Sequence, residues 1–200
     1  MLSHDNKKHT AILYMHNLQK FFINFFTINF KEILLKCKIA QNFEIEIWVP
    51  MKYLYPLLYF LKYDSSCKFE YLTDIVVADF TNKENRFLIN YLLLNIYNYR
   101  IRVSTQIKEF TTLLSVISLY NSALWCEREI FDFFGIFFIY NHDLRRILTD
   151  YGFKGFALRK DFPLSGYIEL YYDDNEKKIT FKKIDFTQEF KNFIFRKTWI

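Results

Sequence analysis

The side chains that could do chemistry crowd into one stretch of this sequence. Between Glu127 and Asp161 stand six anions (Glu127, Glu129, Asp132, Asp143, Asp150, Asp161) and six cations (Arg128, Arg145, Arg146, Lys154, Arg159, Lys160). Glu127, Glu129 and Asp132 could form the carboxylate cluster of an acid/base catalyst. Arg128 stands inside that cluster, however, and no glycine-lined pocket motif accompanies it, so ion pairing is the expected use. Arginine is the preferred cation here, and its planar guanidinium grips a carboxylate through two parallel bonds, within the segment or across an interface. The weaker alternative is a solvated loop with surface pairs, each contributing about 0–1 kcal/mol. His142 beside Asp143 resembles a general base, but it has no candidate nucleophile nearby and is expected at the surface.

Composition sharpens the focus on this stretch. The chain has 24 Phe and 15 Tyr but only 4 Gly and 3 Pro among 200 residues. Phe, Tyr, Ile, Asn and Lys share A/T-rich codons, so a strongly A/T-biased genome, such as an organelle's, accounts for the bias. A residue with G/C-rich codons that persists under such pressure is then informative. All four glycines (Gly135, Gly152, Gly155, Gly166) and four of the eight arginines (Arg128, Arg145, Arg146, Arg159) fall in or beside the charged stretch.

Several function classes are excluded. Neither Gly-x-Gly-x-x-Gly nor a P-loop occurs. Cys37, Cys67 and Cys126 are odd in number and far apart, which predicts free thiols and no iron–sulfur cluster. His4, His9 and His16 lie close only near the N-terminus, so no zinc site is expected. The sequence thus predicts no catalytic residue, no metal and no cofactor in this chain. A net charge of +5 spread among acids favours solubility or an acidic partner. A rival reading, an organellar RNA-binding or ribosomal protein, fits the basic charge and the aromatics but lacks a concentrated basic stripe. The apolar runs Phe87 to Tyr99 and Phe110 to Cys126 are short of about 20 residues and carry polar side chains, so no membrane span is expected. The N-terminus reads as neither signal nor transit peptide, an expectation of synthesis inside the organelle.

The elements that must position the charged stretch are legible upstream. Helical spacing predicts a helix from Leu18 to Cys37, and alternation predicts a strand from Phe43 to Val49 ending at Pro50. A helix over Met51 to Leu61 follows. Next come a buried strand, Tyr71 to Phe80, a turn at Asn82 to Asn85, and strands Arg86 to Leu94 and Arg100 to Gln106, an expected antiparallel meander. Helical periodicity returns from Lys108 to Phe134 with a break near Asn121. Residues 141 to 175 read as irregular, and the tail's spaced aromatics suit pockets on a partner. The expected class is α+β, helices on a small mainly antiparallel sheet. The expected division is an α+β domain over residues 1–125, then a signature segment and extended docking tail over 126–200.

The run Trp125-Cys126-Glu127-Arg128-Glu129-Ile130-Phe131-Asp132-Phe133-Phe134-Gly135-Ile136 resembles the signature of the complex I thirty-kilodalton subunit family. The likeness continues through Asp143-Leu144-Arg145-Arg146-Ile147-Leu148-Thr149-Asp150-Tyr151-Gly152-Phe153 and Leu158-Arg159-Lys160-Asp161-Phe162-Pro163-Leu164-Ser165-Gly166-Tyr167. It closes with Glu169, Tyr172-Asp173 and the ending around Gln188-Glu189-Phe190 to Trp199. Two places depart from the family pattern. Asn141-His142 and Phe156-Ala157 stand where the family usually has His-Pro, freeing φ and restoring backbone donors. The resemblance implies a cofactor-free peripheral-arm subunit on the matrix side of the mitochondrial inner membrane. Its implied neighbours are the forty-nine-kilodalton quinone-site subunit and adjacent iron–sulfur subunits, which carry the flavin, the clusters and the electron transfer.

Overall fold

Phe22 and Phe26, one helical turn apart, are buried on one side of α1, the helix over residues 20–29 of the computed structural model, which describes residues 20–40, 44–97 and 99–188. The helix ends well before the expected Cys37. Thr27 Oγ1 donates to Ile23 O at 2.8 Å and Asn29 Nδ2 to Phe25 O at 2.9 Å, side-chain bonds that compete with helix continuation. Residues Lys36–Ile39 then alternate as strand β1. Residues 1–19, with His4, His9, His16 and the predicted helix start at Leu18, lie outside the described residues, as do Phe43 and the family-like ending beyond Gln188.

Strand β2 (Ile45–Trp48) stops before Pro50, which precedes α2 (Met51–Tyr63). Leu54, Leu57, Leu58 and Leu61, at three- and four-residue intervals, form the buried stripe of α2. Phe60 of α2 meets Phe25 and Phe30 with ring centroids 6.2 and 4.9 Å apart, so aromatic pairs join the first two helices.

The meander is present as β3 (Tyr71–Asp79), β4 (Phe87–Leu94) and β5 (Arg100–Ile107), each pair antiparallel. The five-stranded sheet runs β1-β2-β5-β4-β3, with β2 parallel to β5. On β4 the alternation sends Phe87, Ile89, Tyr91 and Leu93 into the core. Strand β3 was expected to be buried but is the sheet edge, with Tyr71 and Val76 exposed.

The expected helix from Lys108 forms only in its second half. Before it, β6 (Leu113–Leu114) pairs in parallel with β7 (Phe138–Ile139), and Leu113 N and Ser115 N donate to Phe137 O and Ile139 O. Tertiary partners thus capture the backbone donors that a helix would have used. Helix α3 (Ala123–Phe134) follows, and Ser122 Oγ just before it donates to Leu72 O of the edge strand. At the end of the stretch expected to be irregular, β8 (Ile168–Asp173) pairs with β9 (Lys178–Lys183) in a hairpin, a separate two-stranded sheet.

Two compact units divide the chain, one through Asp161 and one from Phe162 onward. The boundary is therefore not at residue 125. The signature helix and the charged loop after it belong with the sheet, because α3 spends its inward polar groups on that loop.

Candidate functional site

Helix α3 buries three ionisable side chains, Glu127, Arg128 and Asp132, among its apolar ones. Each holds a different piece of chain. Glu127, fully buried, accepts from Ser115 Oγ at 2.7 Å, Val116 N at 2.8 Å and Asn141 Nδ2 at 3.0 Å. It thereby fastens the segment after β6 and the segment after β7 to the helix. Burial pushes its carboxyl above the usual range, and the three donors only partly offset this.

One turn and a half later, Asp132 gathers the loop. Its Oδ2 accepts from Ile147 N, Leu148 N and Thr149 N at 3.1, 2.8 and 2.9 Å. Its Oδ1 accepts from Thr149 Oγ1 and from Arg146 Nη1, the latter at 3.2 Å. Burial alone would raise this carboxyl, but the Thr149 hydroxyl and the N–H groups of Thr149, Leu148 and Ile147 outweigh it and hold Asp132 below the ordinary carboxylate range. Arg146 also donates to Gly155 O at 3.0 Å and lies over the Phe156 ring, 5.1 Å from its centroid.

Arg128, nearly buried, stacks on Trp125 at 4.9 Å and reaches Asp143 Oδ2 at 3.5 Å. Arg145 Nε bonds the same carboxylate at 3.0 Å, but its side chain is 71% exposed. Of the two adjacent arginines, Arg146 is the structural one.

Gly135 ends α3 at φ +72°, and its N–H bonds Phe131 O. A Cβ there would sit 2.5 Å from the Phe156 ring, which is itself stacked against Arg159 at 4.5 Å. The phenyl at a position where the family usually has His thus fills the space over the glycine.

The loop then returns to the sheet through a second cluster. Arg159 donates to Phe134 O at 2.7 Å and pairs with Glu109 at 2.7 Å. Glu109 also pairs with Arg86 at 3.0 Å. Arg86 grips Asp79 with two bonds, of 2.8 and 2.9 Å, and meets Asp161 at 3.0 Å. Lys160 contributes its backbone N–H, bonded to Asp79 Oδ2 at 2.9 Å, while its side chain lies over the Phe80 ring. The Arg86 guanidinium holds both Asp79 and Asp161 below the ordinary carboxylate range, and those carboxylates raise Arg86 in return.

Of the eleven residues singled out, nine thus enter two structural clusters. Glu129 is exposed on α3, and the Asp150 carboxylate accepts from Tyr151 N, its own neighbour in the chain. Arg86, Asp79 and Glu109 were missed, because all three lie well before the signature run that opens at Trp125. The rarity of arginine could have flagged Arg86. Chemically the arrangement ties a loop to a sheet. The carboxylates of Glu127 and Asp132 are fully buried and occupied by donors of this chain, so a substrate cannot reach them.

The family described as "Respiratory-chain NADH dehydrogenase, 30 Kd subunit" matches residues 47–168. The chain belongs to this family. It is similar to NADH-ubiquinone oxidoreductase subunit 9 of Prototheca wickerhamii, 48% identical over 162 residues, which are 80% of this chain and 84% of the relative. It is 52% identical over 148 residues to NADH dehydrogenase [ubiquinone] iron-sulfur protein 3 of Oryza sativa subsp. japonica, 74% of this chain and 78% of that one. Among solved structures, a trypsin-resistant fragment (1-134) of Nqo5 superposes with a TM-score of 0.50 at 25% identity, covering 55% of this chain and 89% of that one. A chain of the archaeal membrane-bound sulfane sulfur reductase shares the fold with a TM-score of 0.63 at 23% identity, over 72% of this chain and 85% of that one. The family member described here is a peripheral-arm core subunit of mitochondrial NADH:ubiquinone oxidoreductase. That membership displaces the RNA-binding reading. No helix of the described residues is long and apolar enough to cross a membrane.

Proposed function

We propose that this chain does no chemistry in complex I and serves as a scaffold on the matrix side, beside the forty-nine-kilodalton quinone-site subunit. It supports the quinone-reducing module while neighbouring subunits carry the flavin, the iron–sulfur clusters and the electrons. The observation that carries this reading is the use made of the signature charges. Glu127, Arg128, Asp132, Arg146 and Arg159 spend their hydrogen bonds on the chain's own loop and leave none of the buried carboxylates for a substrate.

The rice relative's name includes "iron-sulfur protein", and an iron–sulfur group in this chain would have to be held by its three cysteines. Cys37 is on β1, Cys67 follows α2 and Cys126 is on α3. Burial pushes the Cys37 thiol up to about 11 and, with Asp64 nearby, the Cys67 thiol up to about 12. A cluster binds thiolates at matched spacing, and these are scattered, protonated thiols. The donor set does not fit an iron–sulfur group.

Assembly with partners then falls to the surface and to the second unit. The Nqo5 relative was solved as a trypsin-resistant fragment that matches 55% of this chain, which supports a self-sufficient sheet domain and a tail that depends on its surroundings. Blue-native electrophoresis with an antibody to this chain tests the reading. Its band coincides with in-gel NADH dehydrogenase activity if the reading holds, and a band on the ribosome contradicts it. Stoichiometric iron in the purified chain would contradict the cofactor-free part.

A further inference from the structure

The β8–β9 hairpin sorts its side chains by face. Its register pairs Ile168 with Lys183, Leu170 with Phe181 and Tyr172 with Ile179, so these six side chains share one face. The alternate pairs are Glu169 with Lys182, Tyr171 with Thr180 and Asp173 with Lys178. That second face is mostly polar, and its register sets acids opposite lysines across the strands. The first face is apolar except for Lys183 at one end, and its five large side chains are 51–67% exposed.

A two-stranded hairpin with an exposed apolar face is by itself marginally stable in water. All three cysteines precede it in the chain, so no disulfide staples it. A contiguous apolar patch rimmed by charge is the usual mark of a protein contact.

We infer that the face of Ile168, Leu170, Tyr172, Ile179 and Phe181 docks on another subunit of the complex, while the face of Glu169 and Lys182 stays in solvent. The inference rests on the subunit reading above and specifies its contact. Charge selects the occupant. Lys183 is the one charge on the apolar face, because Glu169 and Asp173 both stand on the other side. A second copy of this face would bring a cation and no acid, leaving Lys183 without a counterpart. The fitting partner presents an apolar surface with a carboxylate at its rim.

Thiol labelling in the intact complex reads the two faces separately. Leu170→Cys and Phe181→Cys should react with a maleimide roughly tenfold or more slowly in the assembled complex than in the free full-length chain. Lys182→Cys should react at one rate in both, with the parent chain's thiols as background. Equal rates for Leu170→Cys in both states, or equal protection of Lys182→Cys, would overturn the face assignment. So would a homodimer of the free chain that protects Leu170→Cys. As a second readout, Leu170→Asp should reduce the chain's share in the active band while Lys182→Ser leaves it unchanged. Absence of the parent chain from that band would sink the subunit reading itself, a result distinct from failure of the face assignment.

Discussion

Asp132 and Arg146 stand 3.2 Å apart as an uneven pair. The carboxylate is fully buried and accepts five bonds, while the guanidinium keeps 28% of its side chain exposed. The acid is therefore the anchor and the arginine one of its several satisfiers. Asp132→Asn presents an amide to donors that need an acceptor, and breaking a buried, hydrogen-bonded charge site costs about 3–5 kcal/mol. Chemical denaturation of the full chain should show a loss in that range. A loss within error of zero would mean that the loop does not depend on this carboxylate.

The adjacent arginines separate by burial. Arg145→Ala removes an exposed pair with Asp143 and should change stability by about 0–1 kcal/mol. Arg146→Ala leaves Asp132 without its cation and Gly155 O without a donor, and should cost about 2 kcal/mol or more. Equal melts for the two variants would refute this ordering.

Glycines at positive φ allow a graded test. Gly152 has φ +74° and open space where a Cβ would go, so Gly152→Ala should cost only the left-handed backbone term, about 1–2 kcal/mol. Gly135→Ala adds a collision with Phe156, whose ring cannot retreat easily from between Arg146 and Arg159. Its loss should exceed that of Gly152→Ala, and the double variant with Phe156→Ala should be less destabilised than the sum of the single ones. Additivity would show that the ring yields freely.

The pH dependence has two signs. Asp79 and Asp132 are held below their unfolded values, so they contribute stability above about pH 4 that is lost as pH falls through their folded values. Glu127 is held above its unfolded value. Its charged form is disfavoured in the fold, so it subtracts stability as pH rises through the window between its unfolded and raised folded values. Glu127→Gln should therefore gain stability relative to the parent as pH rises from about 4 to 8. Urea melts at the two pH values measure this, and a gain confined to the acid side would reverse the assignment.

Much of the framework was legible in the sequence because local pattern and tertiary environment agree there. The alternation in Phe87–Leu94 and the leucine stripe of α2 each match their burial. The helix predicted from Lys108 forms only over Ala123–Phe134: its apolar residues recur at helical spacing, yet Phe137 and Ile139 take the donors of Leu113 and Ser115, and Glu127 takes those of Ser115 and Val116. The hairpin at Ile168 was read as irregular because its apolar and polar residues interleave with charges on both strands, and its face appears only in the pairing register. Interleaved charge identified the site as a place of pairing, but the partners Asp79, Arg86 and Glu109 arrive through the fold of the sheet, and no local signal joins them to the signature.

The central claim is that the signature charges build the scaffold and take no part in turnover. It is tested most directly by Arg146→Ala in the whole complex, measuring the amount assembled and the quinone-reductase turnover per assembled complex. The account predicts a reduced amount with unchanged turnover. A normal amount with lost quinone reduction would contradict it.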